Sequence, residues 1–278
     1  MERYFINDGE INIHVTEWGI KSGPVIFCLH GLGSTSLSFI EIAEELKREF
    51  RIISIDAPGH GKTDPFSNSE KYDTPVLANW LDQVIEILKI RKFYFLSHSW
   101  GSFVALYYLL NHSEKVIDTI IIDGGYQTKR RKASTMEEEV MYYEKDFEEH
   151  VETWEEFLEV AVYGDSRRTS LLDLAAQDLA LEKNNRYYWH ARGETAGNII
   201  KGMHKHETED IYEKLPHNLP ILLLRATLPK SEDDYRDLTM SIFQQKTGGD
   251  IKKIPNTSHM LHWDNPDVVV KEIKRRWQ

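Results

Sequence analysis

The order of apolar and polar positions along the chain follows two periods. Short runs rich in β-branched and aromatic residues fall at 25–29, 51–55, 93–96, 116–122, 221–225 and 251–254, after an alternating run at 11–17. Several of these runs are apolar on successive residues, as expected for strands whose neighbouring side chains enter packed layers on opposite faces. Between them, apolar residues recur at helical spacing over 39–48, 75–89, 100–111, 232–245 and 266–277. Pro75 suits a first helical turn, where its missing N–H is not needed, so a helix is predicted to begin at Asp73 or Thr74. Strand and helix in this alternation predict an α/β fold, a mostly parallel sheet with helices on both sides.

One interval breaks the rhythm. Residues 126–216 show no strand pattern. Met136 to Glu159 is dense in Glu, with Met141, Tyr142, Phe147, Trp154, Phe157 and Leu158 interleaved, and Leu171, Leu172, Leu174, Tyr187, Tyr188, Trp189 and Met203 follow. The expected organisation is therefore a core of 1–125 and 217–278, with a helical cap at 126–216 lying over one edge of the sheet. The Glu runs read as solvated helix faces. Most of the aromatics read as helix packing, with a minority lining a cavity beneath.

Composition narrows the function without naming it. A chain of 278 residues, 41% hydrophobic and 28% charged, fits a single soluble α/β domain. No apolar stretch approaches the roughly 18 residues that cross a bilayer, and MERYFINDGE lacks the basic and apolar regions of a secretory signal. Cys28 is the only cysteine and lies within an apolar run, so a disulfide framework is not possible and a reducing cytoplasm is expected. The formal net charge of -11 argues against a protein that tracks nucleic-acid phosphates. A small-molecule partner is expected, with no nucleic acid and no membrane.

Open α/β sheets place ligands outside the carboxyl ends of their strands, so the loops leaving those ends matter most. They read HGLGST from His30, DAPGHGKTD from Asp56, SHSWGS from Ser97 and DGGY from Asp123, and NTSHMLHWDNP follows the last strand from Asn256. A small residue, any residue, Ser, any residue and Gly between a strand and a helix is the pattern of a nucleophile elbow. Its centre, Ser99, has to take a strained backbone conformation, so Ser97 and Gly101 on either side have to be small. His98 sits next to the nucleophile in a strained turn and points elsewhere. It and Ser102 read as structural.

With these loops in this order the chain resembles the α/β-hydrolase superfamily over nearly its whole length. The resemblance rests on His30–Gly31, on DAPGHGKTD at Asp56 to Asp64, on SHSWG at Ser97 to Gly101, and on His259 in PNTSHMLHWDNP. It implies an eight-stranded, mostly parallel sheet and a Ser–acid–His triad in that chain order. It also implies an oxyanion hole from the backbone N–H groups of Leu32 and Trp100. His259 is the expected base, and His262, at a helix entry, the rival expected to pack or to face solvent. The family's common acid position, in the loop after the seventh strand, reads LPKSEDD here and holds Pro229 or Lys230. A known alternative uses an acid at the end of the sixth strand, so Asp123 is favoured over the group Glu232, Asp233 and Asp234.

Other readings fit less well. GKT at Gly61 to Thr63 lacks the first glycine of a phosphate loop, because position 56 is Asp. His204-Lys205-His206 and the pair His259 and His262 lack a credible ligand set, so no metal and no cofactor is assigned. Dehalogenase and epoxide-hydrolase relatives carry Asp at the elbow, and proline iminopeptidases carry HGGPG where this chain has HGLGS. The expected activity is a serine esterase. It cleaves a small or medium carboxylester, lactone or thioester with an apolar acyl part, through an acyl-enzyme. A carbon–carbon bond hydrolase or lyase on the same triad, or a ligand-sensing homologue, is the alternative.

Overall fold

The computed structural model describes residues 1–164, 167–216 and 219–278, and these described residues form eleven strands. In chain order they are β1 (Glu2–Asn7), β2 (Asn12–Gly19), β3 (Val25–Leu29), β4 (Arg51–Ile55), β5 (Phe93–His98) and β6 (Val116–Ile122). Then come β7 (His150–Val151), β8 (Ala180–Lys183), β9 (Arg186–Trp189), β10 (Ile221–Ala226) and β11 (Asp250–Ile254). Eight of these make one sheet in the order β1-β2-β4-β3-β5-β6-β10-β11. From β4 to β11 the neighbours are parallel, and β2 runs antiparallel to both β4 and β1.

The continuous apolar runs divide between two cores, one on each face. Phe27, Leu29, Ile53, Ile55, Phe93, Phe95 and Ile121 meet the helices Thr74–Ile87 and Trp100–His112. The alternate residues Ile26, Cys28, Ile52, Leu96, Ile120 and Ile122 meet the helices Ile40–Leu46 and Pro266–Trp277. A strand buried on both faces needs apolar side chains at every position, which is why these segments were readable as unbroken runs.

Two features depart from the expectation. The edge strand β1, ERYFIN, mixes exposed and half-buried residues and pairs with β2 alone among the described residues, so its sequence lacks the run that marks the central strands. The interval after β6 is not purely helical. It holds the helices Met136–Asp146, Ser170–Leu179 and Gly193–Lys205, but also a three-stranded antiparallel sheet in the order β7-β9-β8. Asn184 and Asn185, both at positive φ (54° and 59°), make the two-residue turn between β8 and β9, a conformation asparagine tolerates and hairpins prefer. The predicted return to the core at 217 lies outside the described residues. The inserted segment sends Ile199, Ile200 and Met203 into the first core and Phe157, Leu158, Leu172 and Ala175 into the second.

Register brings the loops of interest to one level. Leu29, the last residue of β3, is opposite Ser97; His98, the last of β5, is opposite Ile122, the last of β6; and Leu224 of β10 is opposite Ile122 too. The loops that begin at His30, Ser99, Asp123 and Thr227 therefore leave the sheet side by side.

Candidate active site

Ser99 stands between β5 and the helix Trp100–His112 with φ 52° and ψ −126°, a region non-glycine residues rarely occupy. Close backbone contact holds it there. Its N–H donates to Ile122 O at 3.0 Å and its carbonyl accepts from Ser102 N at 3.0 Å. Three glycines supply the room. A methyl group on Gly124 would come within 2.2 Å of Ser99 O, one on Gly101 within 2.4 Å of His30 O, and one on Gly31 within 2.9 Å of Ser99 Cβ. Beneath the turn Ser97 and Ser102 are buried and bonded to each other, Oγ to Oγ at 3.0 Å.

The hydroxyl is held by a histidine from the far end of the chain. His259 Nε2 lies 2.7 Å from Ser99 Oγ, and His259 Nδ1 lies 2.8 Å from Asp123 Oδ2. A carboxylate can only accept, so Nδ1 carries the proton and Nε2 is left to accept from the serine hydroxyl. Asp123 is wholly buried at the end of β6, itself at positive φ (41°). Its Oδ1 accepts from Tyr126 Oη at 2.9 Å and from Ala226 N at 3.1 Å. Burial alone would raise its pKa. The hydrogen bond and charge of His259, the Arg236 guanidinium and the Ala226 N–H outweigh burial and hold the carboxyl below the usual aspartate value.

The rival residues are occupied elsewhere. His262 is buried, with Nε2 2.8 Å from Ser38 Oγ and its ring stacked on Phe39, and burial keeps it neutral far below the usual histidine pKa. His98 is also buried. Its Nε2 donates to His259 O at 2.9 Å, so it braces His259 through the backbone, and burial with the nearby His259 pulls its pKa down to about 3. Asp233 pairs with Arg225 (Oδ1 to Nη2, 2.8 Å), while Glu232 and Asp234 lie in the first turns around the helix Asp233–Thr247. The histidine meets none of these three acids.

Leu32 and Trp100 both line the space beside Ser99. The Gly31 carbonyl accepts from His30 Nδ1 (2.7 Å) and from Ser34 N (3.1 Å), which turns the Leu32 N–H on the opposite side of that peptide away from both. His30 is fixed in turn, because its Nε2 accepts from Ala57 N at 2.9 Å. Ala57 belongs to the turn after β4, where the buried Asp56 carboxylate takes His14 Nδ1, Ser36 N and Lys62 N at 2.8, 2.7 and 2.9 Å. DAPGHG thus buttresses the His30–Gly31 loop. The Trp100 N–H opens its helix, and the Trp100 ring stacks on His60 at 5.4 Å.

Above Ser99 and His259 is a cavity of about 90 Å³ lined by Leu32, Trp100, Phe103 and Gly124 and, from the inserted segment, by Tyr143, Ile200 and Met203. Gln127, Lys129 and Lys132 complete it. These last three were not singled out in the sequence. Among the described residues no group of three or more His, Cys, Asp or Glu side chains is arranged to hold a metal ion, and no helix is long and apolar enough to cross a membrane.

Comparison with known proteins places the chain among relatives of known fold. The chain is 29% identical over 112 residues to a serine hydrolase-like protein of Homo sapiens, covering 40% of this chain and 55% of that protein. It is 25% identical over 118 residues to epoxide hydrolase 4 of Mus musculus, covering 42% of this chain and 33% of that protein. The match thus spans about a third to a half of these relatives' own length. In fold it resembles E-2-(acetamidomethylene)succinate hydrolase, with a TM-score of 0.77 and 17% identity over 99% of this chain and 98% of the other. The family described as alpha/beta hydrolase fold matches residues 24–266, and the chain belongs to it.

Proposed function

We propose that the protein is a serine hydrolase that cleaves a small ester-type bond, a carboxylester, lactone or thioester, through an acyl-enzyme. The observation that carries this reading is the unbroken chain from Ser99 Oγ to His259 to Asp123, at 2.7 and 2.8 Å. His259 Nε2 takes the Ser99 proton as Oγ attacks the carbonyl carbon, and the imidazolium then protonates the leaving alcohol or thiol. Water, deprotonated by the same nitrogen, attacks the acyl-enzyme and releases the acid. Asp123 stays ionised and keeps the imidazole oriented. The Leu32 and Trp100 N–H groups receive the oxyanion, whose charge develops only on the way to the tetrahedral intermediate. The inserted segment acts as a cap, and Leu32, Phe103, Ile200 and Met203 favour an apolar acyl stem. A serine at the apex supports this ester chemistry over the aspartate-based routes of dehalogenase and epoxide-hydrolase relatives.

A fluorophosphonate probe tests the assignment. Peptide mapping should place the adduct on Ser99 alone, and Ser99→Ala should lower kcat on p-nitrophenyl acetate on the order of 10⁴-fold or more without loss of fold. Labelling at another serine, or an unlabelled protein with no burst of p-nitrophenol, overturns it.

A further inference from the structure

One wall of the cavity over Ser99 is cationic. Lys129 lines it although its side chain is only 5% exposed. An ammonium has three N–H donors, and leaving a buried charge poorly satisfied is costly. One donor reaches Glu139 Oε1 at 2.6 Å; among the described residues the others have no hydrogen-bond acceptor. Glu139 does not balance the site, because the same carboxylate stands 3.8 Å from Lys132 Nζ and 2.5 Å from His204 Nε2. Lys132 lines the cavity too.

The other carboxylate near Lys129, Glu207, is engaged with the backbone N–H groups of Lys129 (3.2 Å) and Arg130. Those bonds, with Tyr235 Oη donating to Thr128 O at 2.9 Å, fix the turn that carries Lys129 and aim it before any ligand arrives. Arg130 and Arg131 of the same turn pair outward with Asp210 and Glu209, so the two lysines alone face the cavity. In a chain of formal net charge -11, two lysines stand together on this wall, with Glu139 shared between them and Glu207 turned to the backbone.

We propose that Lys129 and Lys132, with the Gln127 amide beside them, form a carboxylate subsite. The substrate is then a short acyl chain that is apolar along its stem and ends in a carboxylate, such as a half-ester or half-thioester of a small dicarboxylic acid. Leu32, Phe103, Ile200 and Met203 hold the stem, and the small cavity keeps the carboxylate a few bonds from the carbonyl that Ser99 attacks. This rests on the reading of Ser99 as nucleophile.

The test compares mono-p-nitrophenyl glutarate with p-nitrophenyl pentanoate, which has an acyl chain of the same length and no charge. Charged hydrogen bonds of this kind predict that the wild type prefers the anionic ester in kcat/KM by about tenfold to a hundredfold. Lys132→Gln, at a partly exposed position, should lower that preference by about threefold to tenfold, and Lys129→Met with Lys132→Gln should abolish it. A binding measurement stands apart from turnover. Glutarate, and not neutral glutaramide, should raise the melting temperature of Ser99→Ala, and Lys132→Gln in that background should remove the shift. Equal kcat/KM for the two esters overturns the subsite and leaves the hydrolase intact. Lysine-dependent glutarate binding without ester turnover keeps the subsite and overturns the hydrolase reading. Absence of both the preference and the glutarate binding overturns the subsite.

Discussion

Two loops leave the sheet side by side and both carry acids, yet only one meets the histidine. The loop after β6 puts Asp123 wholly inside, at positive φ, with Tyr126 and Ala226 on one oxygen and His259 on the other. The loop after β10 puts Asp233 at the first turn of a helix, paired with the buried Arg225. That second loop serves the site by other means. Thr227 N and Leu228 N both donate to Thr257 O, at 3.1 and 2.9 Å, and Asn256 N donates to Thr227 Oγ1 at 2.9 Å. It anchors the chain that bears His259, while β6 supplies the charge. What separates the two carboxylates is where they are held: Asp233 lies partly exposed against Arg225, whereas Asp123 is wholly buried with Oδ2 against His259 Nδ1.

The contrast can be broken most directly at Asp123. Asp123→Asn should lower kcat by about 10³ to 10⁴, because an amide cannot hold the proton of His259 on Nδ1. A loss there no greater than at Asp233 would reverse the assignment. Tyr126→Phe removes one donor from Asp123 and should lower kcat by about tenfold, in line with a hydrogen bond to a charged group. An unchanged kcat would mean that Ala226 and His259 alone hold the carboxylate. Asp233→Asn and Glu232→Gln should each lower kcat by less than about tenfold, and Asp233→Asn should act mainly on stability, shifting Tm by about 2–4 °C. A large kcat effect with an unchanged Tm would give the β10 loop a catalytic part.

The gentlest test reads the ground beneath His259. Burial pulls both His98 and His60 down to about 3, so they stay neutral in the fold, whereas the unfolded chain protonates them near pH 6.5. The unfolded state then binds more protons between those values. Their contribution to stability is complete above about pH 6.5 and is lost as the pH falls toward 3. A Tm that begins to fall below about pH 6 is expected, and one that stays level from pH 7 to pH 4 would show these histidines are not buried as neutral groups.

The central strands and the elbow were legible because their constraints are local. A strand covered on both faces must be apolar at each position, and a turn as tight as that at Ser99 must be flanked by small residues. What stayed hidden depends on partners distant in sequence. Glu2–Asn7 is polar enough to read as a loop until β2 pairs with it. The hairpin between β8 and β9 did carry a signal, the Asn184–Asn185 pair, which lay inside a stretch judged by its helical aromatics. Asp123 could be favoured but not fixed, since the choice against Asp233 turns on Arg225 and Tyr126. Lys129 was indistinguishable from its neighbours in KRRK, because only the tertiary packing of one turn separates the buried residue from the exposed ones.

The three glycines around Ser99 also bear on what the protein tolerates. Gly31, Gly101 and Gly124 let the backbones that follow β3, β5 and β6 touch with no side chain between them. Side chains elsewhere can rotate to absorb a small displacement, but here there are none to do so. The spacing of those strands is therefore transmitted to the hydroxyl almost undiminished, as in a gauge with no play. Misplacing a reacting atom by 1 Å can cost on the order of a hundredfold in rate. Redesign of the sheet interior for thermal stability can thus raise the melting temperature and still detune the site, so each such variant has to be judged by turnover as well as by heat.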